Sequence, residues 1–194
     1  MDRREALKRM TAVMGGVFSL STAAGVLGGC RVGPASDAFV PQALSKEQDA
    51  LVTAIAELII PTTDTPGATA ARVNEYVDKM LSDWYPEDNR IQFAAGLADV
   101  DERSRDTFGK PFVDGTAEEQ HALLTQLESE RTTWRDGSQN EPGADPPFFQ
   151  MMREMTIAGH YTSEIGATQE LKYEIVFDRF DGAVPYAEVG RAWS

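Results

Sequence analysis

One cysteine and two histidines in 194 residues close off several kinds of chemistry. A single thiol, Cys30, cannot form a disulfide within the chain, ligate an iron–sulfur cluster or complete a C-x-x-C-H haem attachment. His121 and His160 have no second His or Cys at metal-ligand spacing, and no H-E-x-x-H is present. A lone His beside Tyr161 reads as a packed or half-exposed residue before it reads as a ligand. Phosphate loops of the G-x-G-x-x-G or G-K-[ST] kind are missing, as is a G-x-S-x-G elbow. Basic charge is scarce as well: 18 Lys/Arg stand against 31 Asp/Glu, a net charge of −13. No basic stripe displaces counterions, so a nucleic-acid partner is not expected. Period-2 strand patterns do not recur, and no internal repeat is visible.

Carboxylates are abundant, which makes paired-acid catalysis the obvious test. Asp99, Asp101 and Glu102 lie among Arg103, Arg105 and Asp106 in ADVDERSRD, a solvated helix face with local ion pairs. Glu118-Glu119 opens a helix, where negative charge favours the positive end of the dipole. A hydrolytic pair needs two carboxyls at a set separation in a cleft, and nothing in the spacing marks one. The expectation is therefore no catalytic, cofactor-binding or metal residues in this chain.

The scarce bases are concentrated at the start. Residues 1–30 hold Arg3, Arg4, Lys8 and Arg9 against Asp2 and Glu5, while the remaining residues hold 14 bases against 29 acids. From Thr11 to Gly29 nothing is charged. About 20 apolar residues span a bilayer, but Gly15, Gly16, Gly25, Gly28 and Gly29 each cost roughly 1 kcal/mol in a helix, and Ser and Thr dilute the run. A basic start, a weakly apolar middle and small residues at the end describe an export signal. Arg3-Arg4 followed by Leu7-Lys8 resembles the twin-arginine signal read by the Tat translocase, with Ala6 where a larger apolar residue is usual. A Sec-type signal or an N-terminal anchor is the alternative. Leu27-Gly28-Gly29-Cys30 resembles a lipobox, in which the cysteine receives a diacylglycerol and becomes the new N-terminus. The expected division is a signal peptide over 1–29, a lipidated Cys30 with a Pro/Gly-rich tether over 30–44, and one domain over 45–194.

That domain reads as all-α. Ser45 to Gln48 form a capping box ahead of Leu51, Val52, Ile55, Leu58 and Ile59, and Pro61 stops the helix. A second helix is expected from about Ala68 to Trp84, with Val73, Tyr76, Val77, Met80, Leu81 and Trp84 on its apolar face. A third carries Ile91, Ala94, Ala95, Ala98 and Asp101 towards Phe108-Gly109. Thr116 to Glu119 form another capping box ahead of Leu123, Leu124, Leu127 and Trp134. A polar loop is expected over RDGSQNEPGADPP, then a helix from Pro147 through Met151, Met152, Met155 and Ala158 to about Ile165. The rest is an irregular, aromatic tail. Two stretches ask for more: IIPTTDTPGA, first a rigid corner, and the end with Tyr173, Phe177, Phe180, Tyr186 and Trp193. That end is first a tail folded back to complete the core; a docking surface is the other reading, because Tyr and Trp are enriched at interfaces.

ELIIPTTDTPGA (57–68), FFQMMREMTIAGHYTSEIGATQELKYE (148–174) and the ending F-D-G-A-V-P-Y-A-E-V-G-R-A-W resemble the gluconate 2-dehydrogenase subunit 3 (small, or gamma, subunit) family, over about 45–193. Where relatives show a cysteine in the tail this chain has Ala183, so no disulfide is carried over. The resemblance implies a non-catalytic subunit of a sugar or sugar-acid dehydrogenase. Its partner would be a large glucose–methanol–choline-type subunit carrying FAD, with electrons passing on to a third, cytochrome c subunit with haem c or to the quinone pool. It implies a membrane-associated complex, to which the lipobox, a departure from the family pattern, would add a periplasmic tether; Tyr161, Tyr173, Tyr186 and Trp193 are the candidate partner contacts. Tat moves folded cargo, and a chain with no recognisable cofactor site gains nothing from folded export unless a cofactor-bearing partner travels with it. A freestanding periplasmic lipoprotein, acting as scaffold or ligand-binding module, is the second reading. An enzyme built on a carboxylate or on His160–Tyr161 is the third.

Overall fold

The computed structural model describes residues 39–138, 146–174 and 183–193; Arg3, Arg4 and Cys30 lie outside them. The chain divides into Met1–Phe39 and Val40–Ser194, and every described helix belongs to the second unit. Its elements are α1 (Lys46–Ile59), α2 (Val73–Asp83), α3 (Glu87–Phe108), a 3-10 turn (Phe112–Asp114), α4 (Ala117–Ser138), α5 (Phe148–Tyr161), a π-helical turn (Gly166–Glu170) and α6 (Tyr186–Val189). Among the described residues there is no strand, only an isolated parallel bridge between Lys172 and Trp193. The fold is all-α, as the periodicity implies.

Both capping boxes form. The Ser45 amide donates to Gln48 Oε1 at 2.8 Å and the Gln48 amide to Ser45 Oγ at 3.2 Å. Glu119 Oε2 accepts from the Thr116 amide at 2.7 Å, with a longer return bond of 3.4 Å. Each satisfies two amides that a helix start leaves without partners. Leu51, Val52, Ile55 and Ala56 then turn α1 inward. The chain reaches α1 on a fixed path, because Asp78, buried on α2, accepts the amides of Gln42, Ala43 and Leu44 at 2.8–2.9 Å. The last residues of the expected tether are thus part of the folded body.

α5 is the central element and packs on α1, α2, α3 and α4. It buries Phe149, Met151, Met152, Met155, Thr156, Gly159 and His160. Phe93 and Phe148 stack at 5.1 Å with planes tilted by 56°, a favourable offset arrangement. Arg131 of α4, a charged group deep in the bundle, is met bidentately by Glu128 at 2.6 Å and by Gln150 of α5 at 3.0 Å. That pairing removes most of the penalty of burying a guanidinium.

Four expectations need correction. α2 starts at Val73 rather than Ala68, because Arg72 sits in the left-handed region at φ 55° and the preceding residues form turns. Its end at Asp83 leaves Trp84 off the apolar face and 77% exposed. α3 is rotated from the expected face: Phe93, Leu97, Val100 and Ser104 are buried, Ile91 is 59% exposed, and Ala95 and Ala98 are exposed. Alanine is apolar enough to suggest a face, but the larger side chains gain more by burial. Its end is as read, with Gly109 at φ 74° in the left-handed position after the last turn. α4 continues to Ser138, so RDGS is helix rather than loop; Arg135 pairs with Asp136 there, and residues 139–145 lie outside the described ones.

The fourth correction concerns the tail. None of the described side chains in 183–193 is buried, so this segment does not complete the core. Phe177 and Phe180 lie outside the described residues.

Candidate functional site

α5 stops at Tyr161, short of Ile165, and the reason is local. The Thr162 amide still bonds to the Ala158 carbonyl at 3.0 Å, but Ser163 turns its hydroxyl back onto the His160 carbonyl at 2.6 Å and then accepts the Gly166 amide at 3.0 Å. Side-chain oxygens of Ser and Thr that compete for backbone groups in this way divert a helix. Gly166 is required there: a Cβ would fall on the His160 carbonyl oxygen, far inside contact distance. The next element, the π-helical turn, closes with the Leu171 amide on the Gly166 carbonyl at 2.9 Å, and it brings Glu170 back over the end of α5.

Glu170 receives both of the last α5 side chains. His160 Nε2 lies 2.7 Å from Glu170 Oε2, and the Tyr161 hydroxyl donates to Oε1 at 2.7 Å. His160 is wholly buried and its Nδ1 has no hydrogen-bond partner. Burial pushes the Glu170 carboxyl up, but the bonds from Tyr161 and His160 outweigh it and hold the group below its ordinary value; Asp64 opposes them weakly. The bond to Glu170, then burial, pushes the Tyr161 phenol up. An ionised carboxylate only accepts, so the proton belongs on Nε2. Both donors are thereby tied to Glu170, and the trio clasps the turn to the end of α5.

The Asp64 influence identifies the neighbour: the corner read as IIPTTDTPGA. It is organised by Glu57, whose carboxylate accepts the Thr62 amide at 2.9 Å, the Thr62 hydroxyl at 2.7 Å and the Thr69 amide at 2.9 Å. Burial raises Glu57, and these bonds, Thr62 first, outweigh it and lower the group overall. The Thr62 hydroxyl in turn accepts the Gly67 amide at 3.1 Å. The expectation of a rigid corner holds.

Beyond the turn, Lys172 binds the C-terminal arm. Its amide donates to the Ala192 carbonyl at 2.8 Å, its ammonium lies 3.9 Å from the centre of the Trp193 ring, and Arg191 Nη1 donates to the Gln169 carbonyl at 2.7 Å. Of the four aromatic candidates, Tyr161, Tyr173 and Trp193 are therefore gathered on one stretch, 161–173 and what it holds. Tyr161 is half-buried with its hydroxyl on Glu170, whereas Tyr173 is 56% and Trp193 40% exposed. Tyr186 begins α6, and the structure does not describe its side chain. Among the described residues no three of His, Cys, Asp and Glu converge as metal ligands, and no helix is long and apolar enough to cross a membrane.

Glu57, Asp78 and Glu170 escaped the sequence reading. Each is a single acid in an acidic chain, and each acts on groups 5 to 36 residues away. The only signal is indirect: Ser163 inside the expected helix and Gly166 just past its expected end, both of them residues that disfavour helix continuation.

Compared with known families, the chain matches the one described as gluconate 2-dehydrogenase subunit 3 over residues 46–178. No curated protein and no solved structure matches it. The matched span runs from the first turn of α1 past the Glu57 corner and the Glu170 clasp.

Proposed function

This chain belongs to the gluconate 2-dehydrogenase subunit 3 family, and from that premise we propose that it is the non-catalytic small subunit of an FAD-dependent sugar or sugar-acid dehydrogenase. In this reading it folds in the cytoplasm, binds the flavin-carrying large subunit, takes it through the Tat pathway and tethers it at the periplasmic face of the membrane through Cys30. FAD belongs to the partner, and electrons pass from it to a cytochrome c subunit with haem c or to the quinone pool.

The observation that carries the reading is the pairing of a twin-arginine-like start, Arg3-Arg4 with Leu7-Lys8, with membership in a family of dehydrogenase subunits. A pathway for folded cargo serves a protein that must load its cofactor before export. Tyr161, Glu170 and Glu57, and His160 through its Nε2, are hydrogen-bonded to one another or to the backbone. The cofactor that warrants folded export is then the partner's.

Replacing Arg3 and Arg4 together by Lys, in cells expressing the whole complex, tests this. Sugar-dependent dye reduction should vanish from the periplasmic fraction while the flavoprotein accumulates inside. Unchanged periplasmic activity would sink the escort role. Cys30→Ala should leave activity exported but move it from the membrane to the soluble periplasm.

A further inference from the structure

Within the folded unit, charge and burial separate two parts. Residues 40–174 carry 25 acidic and 11 basic side chains, a net of −14, whereas residues 183–193 carry one of each, Glu188 and Arg191. The body has a buried apolar core, with Val40, Trp84, Ile91 and Val113 exposed around it, whereas none of the described side chains of the arm is buried. Val184 is 42% and Trp193 40% exposed, beside Tyr173 at 56%.

The arm is nevertheless placed. Lys172 and Gln169 hold Ala192, Trp193 and Arg191 through two backbone-carbonyl bonds and the contact of the ammonium with the Trp193 ring. Gln169 belongs to the turn that Glu170 fastens to α5, and Lys172 lies two residues beyond its end. Ordering backbone costs about 1–2 kcal/mol per residue, and burying apolar surface is the usual compensation. Here that burial is left undone, with Tyr, Val and Trp side chains facing water. Rigid aromatic side chains on a pre-placed segment are the elements that anchor interfaces.

The geometry points to the arm together with Tyr173, which follows the Lys172 that holds it, as the surface on which the flavoprotein subunit docks, with Tyr173 and Trp193 as its anchors. It further points to a partner that meets this surface with an apolar pocket rather than a basic patch. The inference rests on the reading that such a partner exists. The charge separation decides the second half: a partner seated on the acidic body would need Lys and Arg and would loosen with salt, whereas contact with a neutral apolar arm is nearly indifferent to it.

The full chain, tagged and co-expressed with the large subunit, is captured and the retained FAD-containing subunit is quantified. Tyr173→Ala with Trp193→Ala should lower retention by about 10- to 30-fold, the loss typical of removed interface anchors. Its melting temperature should stay within about 2 °C of the parent, since exposed positions contribute little to folding. Trp84→Ala, another exposed aromatic, should retain the partner fully. Wild-type retention should change less than about 2-fold between low and high salt. Undiminished capture by the double variant, loss with Trp84→Ala instead, or dissolution of the wild-type complex by salt each overturns the proposal. If the wild-type chain captures no flavoprotein at all, the assembly reading itself fails and this surface with it.

Discussion

The body of this domain and its C-terminal arm meet at one turn, yet they are built on opposite terms. In the body, α5 is packed on four sides, and two charged groups beside it find partners within the fold: Arg131 has Glu128 and Gln150, and Glu170 has His160 and Tyr161. In the arm no described side chain is buried, and the contacts that hold it fall on carbonyls and on the Trp193 ring. The difference teaches where to look for each property. Folding stability resides in the body; association, in the proposed assembly, resides in the arm.

The sharpest way to break that comparison is to truncate one aromatic residue on each side. Phe93 is fully buried and stacks on Phe148, so Phe93→Ala should cost about 3–5 kcal/mol of unfolding free energy. Trp193→Ala should cost under about 0.5 kcal/mol, as at most exposed positions. Urea melts of the two variants measure both. Similar losses would mean that the arm is part of the core after all.

A second, smaller effect tests whether the folded body begins before α1. Asp78 is buried and accepts three consecutive amides. Asp78→Ala leaves Gln42, Ala43 and Leu44 without their acceptor and should cost about 2–3 kcal/mol. Hydrogen exchange at these three amides should rise more than at the helices. Slow exchange retained there would show that the acid is not what fixes the approach to α1.

How much of the fold is legible in the sequence depends on range. The Ser45–Gln48 and Thr116–Glu119 boxes act over three residues and are plain in the sequence, as are Leu51, Val52 and Ile55 at helical spacing. The phase of α3 is not, because Ala94, Ala95 and Ala98 satisfy an apolar pattern about as well as Phe93, Leu97 and Val100. Only packing against Phe148 separates the two faces. The end of α5 is hidden although Ser163 and Gly166 stand in view, since their effect depends on a hydroxyl finding the His160 carbonyl. The aromatic content of the tail suggests a core, but the described side chains of 183–193 are not buried, because composition tells how apolar a segment is and not where it packs.

Glu170 sits where the two regions meet, and its titration gives the smallest and most local test. Its carboxyl is held below the ordinary value of 4.5 by the bonds from Tyr161 and His160, despite burial. The unfolded chain therefore binds the proton more readily than the folded one between the two values. A group of this kind contributes stability that is fully present above its unfolded value and lost as pH falls through its lowered folded value. Glu170→Gln keeps the shape but removes the charge, so near neutrality it should cost about 1 kcal/mol, the scale of one hydrogen bond to a partly exposed charged group. The gap between wild type and Glu170→Gln should then close as the pH falls below 4.5, where wild-type Glu170 also becomes neutral. Other depressed acids, Glu57 among them, steepen both acid transitions alike and cancel in the difference. A gap that stays constant with pH would show that the clasp works by shape alone. A closing gap accompanied by faster exchange at the Lys172 amide, which holds Ala192, would show that the charge on Glu170 also governs how firmly the body keeps its arm.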